Sequence, residues 1–155
     1  MERIFRDERR VAWAGHLQRP FEFVSPCGGG EFSMLLWVAD SSITVVERWT
    51  LSVAFVRQGC RYAVCAGHGC SSWDDSIDYA YLESDPQYST PDETFVMTSW
   101  HEAEPIEDIA SFLVMCTSFD DYEAKAFVVV CLGGDAEVYG QVRDAVSRRL
   151  RLPSG

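Results

Sequence analysis

Residues 126–150 read AFVVVCLGGDAEVYGQVRDAVSRRL, and the architecture follows from how this stretch changes character. AFVVVCL (126–132) is a continuous apolar run of strand length, rich in β-branched valine, which suits a strand buried on both faces. Gly133-Gly134-Asp135 interrupts it. In the residues that follow, Val138, Val142, Ala145, Val146 and Leu150 recur at helical spacing. Arg148 and Arg149 fall near the C-terminal end, where the helix dipole favours positive charge. A buried strand feeding an amphipathic helix is half of a βαβ unit.

The same alternation runs back along the chain. SMLLWVA (33–39), RYAVCA (61–66) and TFVMTS (94–99) read as further short apolar strands. ITVVERWTLSVAFVR (43–57), apolar nearly all round and stopped before Gly59, reads as a buried helix. SSWDDSIDYAYLE (71–83) reads as a short helix with Trp73, Ile77 and Tyr81 on one face and Asp74 and Asp78 opposite. PIEDIASFLVMC (105–116) reads as a helix with Pro105 in its first turn, and SDPQYSTPDE (84–93) as a loop. Residues 2–18 read as an amphipathic helical arm and FEFV (21–24) as an extended edge piece. Strands separated by helices imply right-handed crossovers and a mostly parallel sheet of four or five strands with helices on both faces. The expected fold is thus a single three-layer α/β domain over 1–155, with a helical arm at 1–20 and a core at 21–150. The simple doubly wound order would place 61–66 at an edge, followed by 33–39, 94–99 and 126–132.

The 155 residues suit one domain, and the net charge of −11 makes a nucleic-acid partner unexpected. Residues 1–20 carry +2 and residues 141–155 carry +3, whereas residues 71–125 hold fourteen acids and one base, Lys125. The middle of the chain is therefore expected to form an acidic surface, with Trp73, Tyr79, Tyr81, Tyr88 and Trp100 among the carboxylates. No apolar run is long enough for a membrane span and the charged N-terminus is unlike a signal peptide, so the expected compartment is the cytoplasm.

Chemistry in such a sheet belongs at the carboxyl ends of the strands. The polar residues expected there are Asp40, His68, Cys70, Asp74, Asp75, His101, Glu102 and Asp135. Histidines beside carboxylates suit general acid–base work or metal binding, although Asp40 and Asp135 also suit helix caps and Asp74 and Asp75 a first helical turn. Cys60, Cys65, His68 and Cys70 place four soft ligand types within eleven residues and could be drawn together around zinc. Cys65, three residues before His68, is a candidate nucleophile, with a buried core thiol as its plain alternative. The phosphate-binding glycine loops, the G-x-S-x-G elbow, the H-E-x-x-H helix and the zinc-deaminase pattern do not occur, and no cofactor is expected.

The segments CAGHGCSSWDDSIDYA (65–80) and FVMTSWHEAEP (95–105) resemble small uncharacterised bacterial α/β proteins, some of which accompany toxin or defence genes. The resemblance spans residues 60–105 and implies an immunity-type or antitoxin-type binder, a class whose acidity matches its basic partners. Two functions are therefore expected to compete. One is a non-enzymatic acidic module that binds a basic protein, such as a toxin domain, through Trp73, Asp74, Asp75, Asp78, Trp100, His101, Glu102 and Glu104. The other is a small hydrolase or transferase using His68, His101, Asp74, Asp75 and Glu102.

Overall fold

Ten elements follow one another in the computed structural model, which describes residues 1–84 and 94–153. They are β1 (Glu2–Arg6), β2 (Val11–Leu17), β3 (Phe32–Val38), α1 (Val45–Arg57), β4 (Cys60–Gly67), α2 (Cys70–Leu82), β5 (Met97–His101), α3 (Ile106–Cys116), β6 (Ala126–Leu132) and α4 (Ala136–Arg151). The strands form one six-stranded sheet in the order β1-β2-β6-β3-β4-β5. Only the β1–β2 pair is antiparallel. The α/β class is as expected, with more strands and a different order. β6 returns to the middle of the sheet, between β2 and β3, and β5 becomes an edge.

The apolar runs explain the centre. β3, β4 and β6 contribute fully buried residues to both faces, because crossover helices cover both. One core lies between the sheet and the α1–α2 side, with Phe32, Met34, Leu36, Phe55, Trp73 and Ile77 among its members. The other faces α3 and α4 through Leu35, Val64, Ile109, Leu113, Phe127 and Val146.

The amino-terminal arm is not a helix. Ala12 and Ala14 are buried while Trp13 between them is half-buried, the two-residue period of a strand. Asp7 closes the hairpin by accepting hydrogen bonds from the backbone N–H groups of Arg9 and Arg10 at 2.8 and 2.7 Å. FEFV forms no strand: Phe23 instead packs edge-on to Phe55 of α1, with ring centroids 4.9 Å apart. β5 starts at Met97 rather than at Thr94, because Phe95 turns to pack on Tyr81 and Phe119, and its carbonyl accepts from Arg61 Nε.

α1 is a surface helix, not a buried one. Thr44 and Glu47 form a capping box at its start, and only Leu51, Ser52 and Phe55 are buried. Val45 and Val46 are 69% and 74% exposed. Most of the acidic loop expected at 84–93, including Tyr88, lies outside the described residues. Among the described residues, no helix is long and apolar enough to cross a membrane.

Candidate functional site

The carboxyl ends of β3 and β6 flank the point where the chain reverses its direction of travel across the sheet, the usual ligand crevice of an open α/β fold. Here that point is filled by close backbone contact. The N–H groups of Ala39 and Asp40 both donate to the Leu132 carbonyl, and the Gly133 N–H donates to the Leu17 carbonyl. A Cβ added at Gly133 would lie 2.5 Å from Asp40 Cβ, and one at Gly134 would lie 2.7 Å from Ala39 Cβ. His16 Nε2 closes the turn on the Gly133 carbonyl at 2.8 Å.

Both acids expected at this rim do structural work. Asp40 accepts from the Ser42 backbone and hydroxyl and pairs with Arg19 at 3.0 Å. The Ser42 bonds come first and Arg19 adds to them in holding the Asp40 carboxyl below its ordinary value. The cap of α1 is Thr44, whereas Asp135 does cap α4, accepting from the Val138 N–H.

The cysteine set does not converge. Cys60 opens β4 at the sheet's amino edge and Cys70 opens α2 beyond its carboxyl edge, so a zinc ion cannot be shared by Cys60, Cys65, His68 and Cys70. Cys60 donates to the Tyr62 carbonyl, and burial pushes its thiol up to about 12. Cys65 is fully buried, and burial drives its thiol well above the ordinary value; it is a core residue and not a nucleophile. Burial, followed by the nearby Glu102 carboxylate, also raises Cys70.

The two histidines are also separate. His68 is exposed in the β4–α2 turn. His101 is 7% exposed and packs edge-on to Phe112 of α3, with centroids 4.6 Å apart. Its Nε2 is 2.9 Å from Ser99 Oγ, and its Nδ1 is 2.9 Å from Glu104 Oε2, turned out of hydrogen-bond alignment. The carboxylate associated with His101 is therefore Glu104, not Asp74, Asp75 or Glu102. Ser99 and His101 thus stand at hydrogen-bond distance, as a hydroxyl and its base do, while Glu104 would have to turn into line to orient the ring.

α2 carries the acidic feature that the fold assembles. Its buried stripe of Trp73, Ile77 and Tyr81 seats it on the sheet, and Asp74 is carried down with the stripe to 6% exposure. Trp73, 2% exposed, is thus a core residue and cannot serve as a surface anchor, and Asp74 and His101 are likewise withdrawn from the surface. α2 begins at Cys70, so Asp74 and Asp75 lie beyond its first turn. Thr98 Oγ1 on β5 donates to Asp78 Oδ1 at 2.8 Å. Burial holds the carboxyls of Asp74 and Asp78 above their ordinary values against the lowering effect of Thr98, and neighbouring aspartates add to the rise.

The outer side of α2 faces α1 across an open groove of about 520 Å³, lined by Val45, Arg48, Trp49, Asp75, Tyr79 and Glu83 among others. Tyr79 is 61% exposed, and Trp100 on the edge strand is 53% exposed. Among the described residues, no lysine or arginine pairs with Asp75, Asp78, Glu83, Glu102 or Asp108. The composition of 71–125 shows the charge, but the contribution of Val45 and Trp49 is invisible when α1 is read as a buried helix.

The acids of 71–125 do not form one wall. Asp120, Asp121 and Glu123 sit at the amino edge of the sheet around a cleft of about 1080 Å³ with Glu31, Arg61 and Lys125. Arg61, only 7% exposed, fills this region by bonding Glu31 at 2.6 Å and the Phe95 carbonyl at 2.8 Å while stacking over Tyr122. Glu31 is paired with Arg61 and Glu123 with Lys125 and Arg9, whereas among the described residues no lysine or arginine pairs with Asp120 or Asp121, so this end is a second, partly neutralised acidic patch.

No curated protein matches the chain. A family model described as "Domain of unknown function (DUF7684)" matches residues 16–148, from within β2 to the last turn of α4, and the chain belongs to that family.

Proposed function

We propose that this chain is a non-enzymatic binding module that docks and masks a basic protein partner on its α1–α2 face. One observation carries the reading: α2 sets the carboxylates of Asp75 and Glu83, neither of them in an ion pair among the described residues, in the same groove as the exposed ring of Tyr79, with Val45, Arg48 and Trp49 opposite. Tyr79 supplies the amphipathic aromatic surface that anchors an interface, and the carboxylates select a cationic complement. Trp100, Glu102 and Glu104 extend the acidic surface along the edge-strand side. A net charge of −11 steers such a partner from a distance. The specific form of this reading is an immunity-type or antitoxin-type protein whose partner is a basic toxin domain.

The test is affinity capture from the native host with the wild-type chain and an Asp75→Lys/Glu83→Lys variant, followed by reconstitution with the purified partner. Capture of a basic protein that forms a defined complex with the wild type, and associates at least about tenfold more slowly with the variant, is the expected result. No partner, or a partner indifferent to the reversal, contradicts it.

A second reading is a small hydrolase or transferase, supported by the Ser99, His101 and Glu104 arrangement. In that reading His101 takes the Ser99 hydroxyl proton as the oxygen attacks an acyl carbonyl and returns it to the alkoxide or amine that leaves as the acyl–leaving-group bond breaks; water then releases the acyl group from Ser99, or an acceptor takes it. Labelling of Ser99 by a fluorophosphonate, abolished in His101→Ala, would favour it over the binder. An unlabelled, folded wild type removes it.

A further inference from the structure

We infer that Asp74, Asp75 and Asp78 form a binding site for one hard divalent cation, such as Ca2+, Mn2+ or Mg2+, where α2 meets β5. Each aspartate offers a carboxylate oxygen, and the three oxygens lie within 4.8 Å of one another. Two oxygens on opposite sides of one ion stand about twice a metal–oxygen bond apart, roughly 4 Å for Mg2+ and 5 Å for Ca2+, so the spacing suits a shared ion. The donors are all oxygen, which selects hard cations over zinc or copper.

Acidic residues crowd many helix surfaces with no ion between them, and the cluster alone would signify nothing. Asp74 separates this one from a solvated patch. The residue is 6% exposed, and its Oδ1 is buried with no hydrogen-bond partner. A buried carboxylate oxygen without a donor is costly, and native folds rarely leave one so. Among the described residues, no lysine or arginine pairs with any of the three aspartates. The one hydroxyl donor described at the cluster, Thr98 Oγ1, bonds Asp78 and also favours the Asp74 carboxylate, but Asp74 Oδ1 is left without a donor.

Three carboxylates supply half or fewer of the oxygens such an ion takes, so water completes the shell and binding is of modest strength, with a Kd of about 0.1–1 mM. The site shares Asp75 with the α1–α2 groove, but Asp74 and Asp78 do not line it, so variants at those two positions test the cation site while leaving both docking carboxylates in place.

The test is titration calorimetry of the full chain with CaCl2, MnCl2 and MgCl2 at neutral pH. Asp74→Asn and Asp78→Asn serve as near-isosteric variants, with Glu137→Gln on α4 as an acidic control outside the cluster. One saturable equivalent in the wild type and the control, weakened at least about tenfold in both variants with the fold intact by circular dichroism, is expected. Mn2+ line-broadening in the wild type guards against variants that fail to fold: it should centre on the carboxyl signals of Asp74, Asp75 and Asp78. No saturable binding of any of the three ions up to about 5 mM, equal binding by the folded variants, or broadening centred elsewhere overturns the site.

Discussion

Thr98 and Asp78 are joined across the interface between the edge strand and α2 by a 2.8 Å hydrogen bond from hydroxyl to carboxylate. The bond fastens the acidic helix to the outermost strand of the sheet and gives the half-buried Asp78 a donor. Thr98→Val keeps the shape and removes the donor. The expected loss is about 1.5–3 kcal/mol of unfolding free energy in urea, the range for a hydrogen bond to a charged acceptor. An unchanged midpoint would mean that water replaces the hydroxyl.

Gly67 ends β4 with φ +86°, and a Cβ there would run into the Val38 carbonyl of the adjacent strand. Gly67→Ala therefore combines an unfavourable left-handed backbone with a clash against backbone. It should lower stability by about 2–4 kcal/mol, read from the urea midpoint. A neutral outcome would show that β3 and β4 can separate at their carboxyl ends.

Glu47 holds the start of α1 through the Arg19 guanidinium and the Thr44 backbone, which together depress its carboxyl below the ordinary value of 4.5. A depressed folded value contributes stability that is present above the unfolded value and disappears as pH falls through the folded one. Glu47→Gln should thus melt below the wild type at neutral pH, with the gap closing once pH falls below 4.5. A gap that persists at low pH would assign the effect to packing instead of charge.

Thiol reactivity should follow burial. Cys116 is exposed and Cys27 partly so, whereas Cys60, Cys65 and Cys131 are buried with raised thiols. A disulfide reagent at neutral pH should modify Cys116 first, and Cys60, Cys65 and Cys131 only on unfolding. Rapid modification of native Cys65 would contradict its place in the core.

The central elements were legible because their patterns are long and unopposed. AFVVVCL and its helix, the 105–116 helix and the Trp73, Ile77 and Tyr81 stripe all appear where the periodicity puts them. The amino-terminal hairpin was not, because two short strands joined through an arginine-rich turn offer too few buried positions to separate a period of two from one near four. Strand order escaped because β3 pairs with both β4 and β6, a choice made by packing over distances that no local pattern encodes. The stripe that located α2 already implied that Trp73 is buried, which a reading of it as a surface anchor overlooked. Thr98 carries no local sign of its tie to Asp78, twenty residues earlier.

The docking face is tested most directly by photocrosslinking in the native host, with benzoylphenylalanine in place of Tyr79 and the same chain carrying Asp75→Lys and Glu83→Lys as comparison. The account predicts a discrete adduct with a basic protein that the charge-reversed chain fails to form. Absence of any discrete adduct, or an adduct formed equally by both chains, would contradict it.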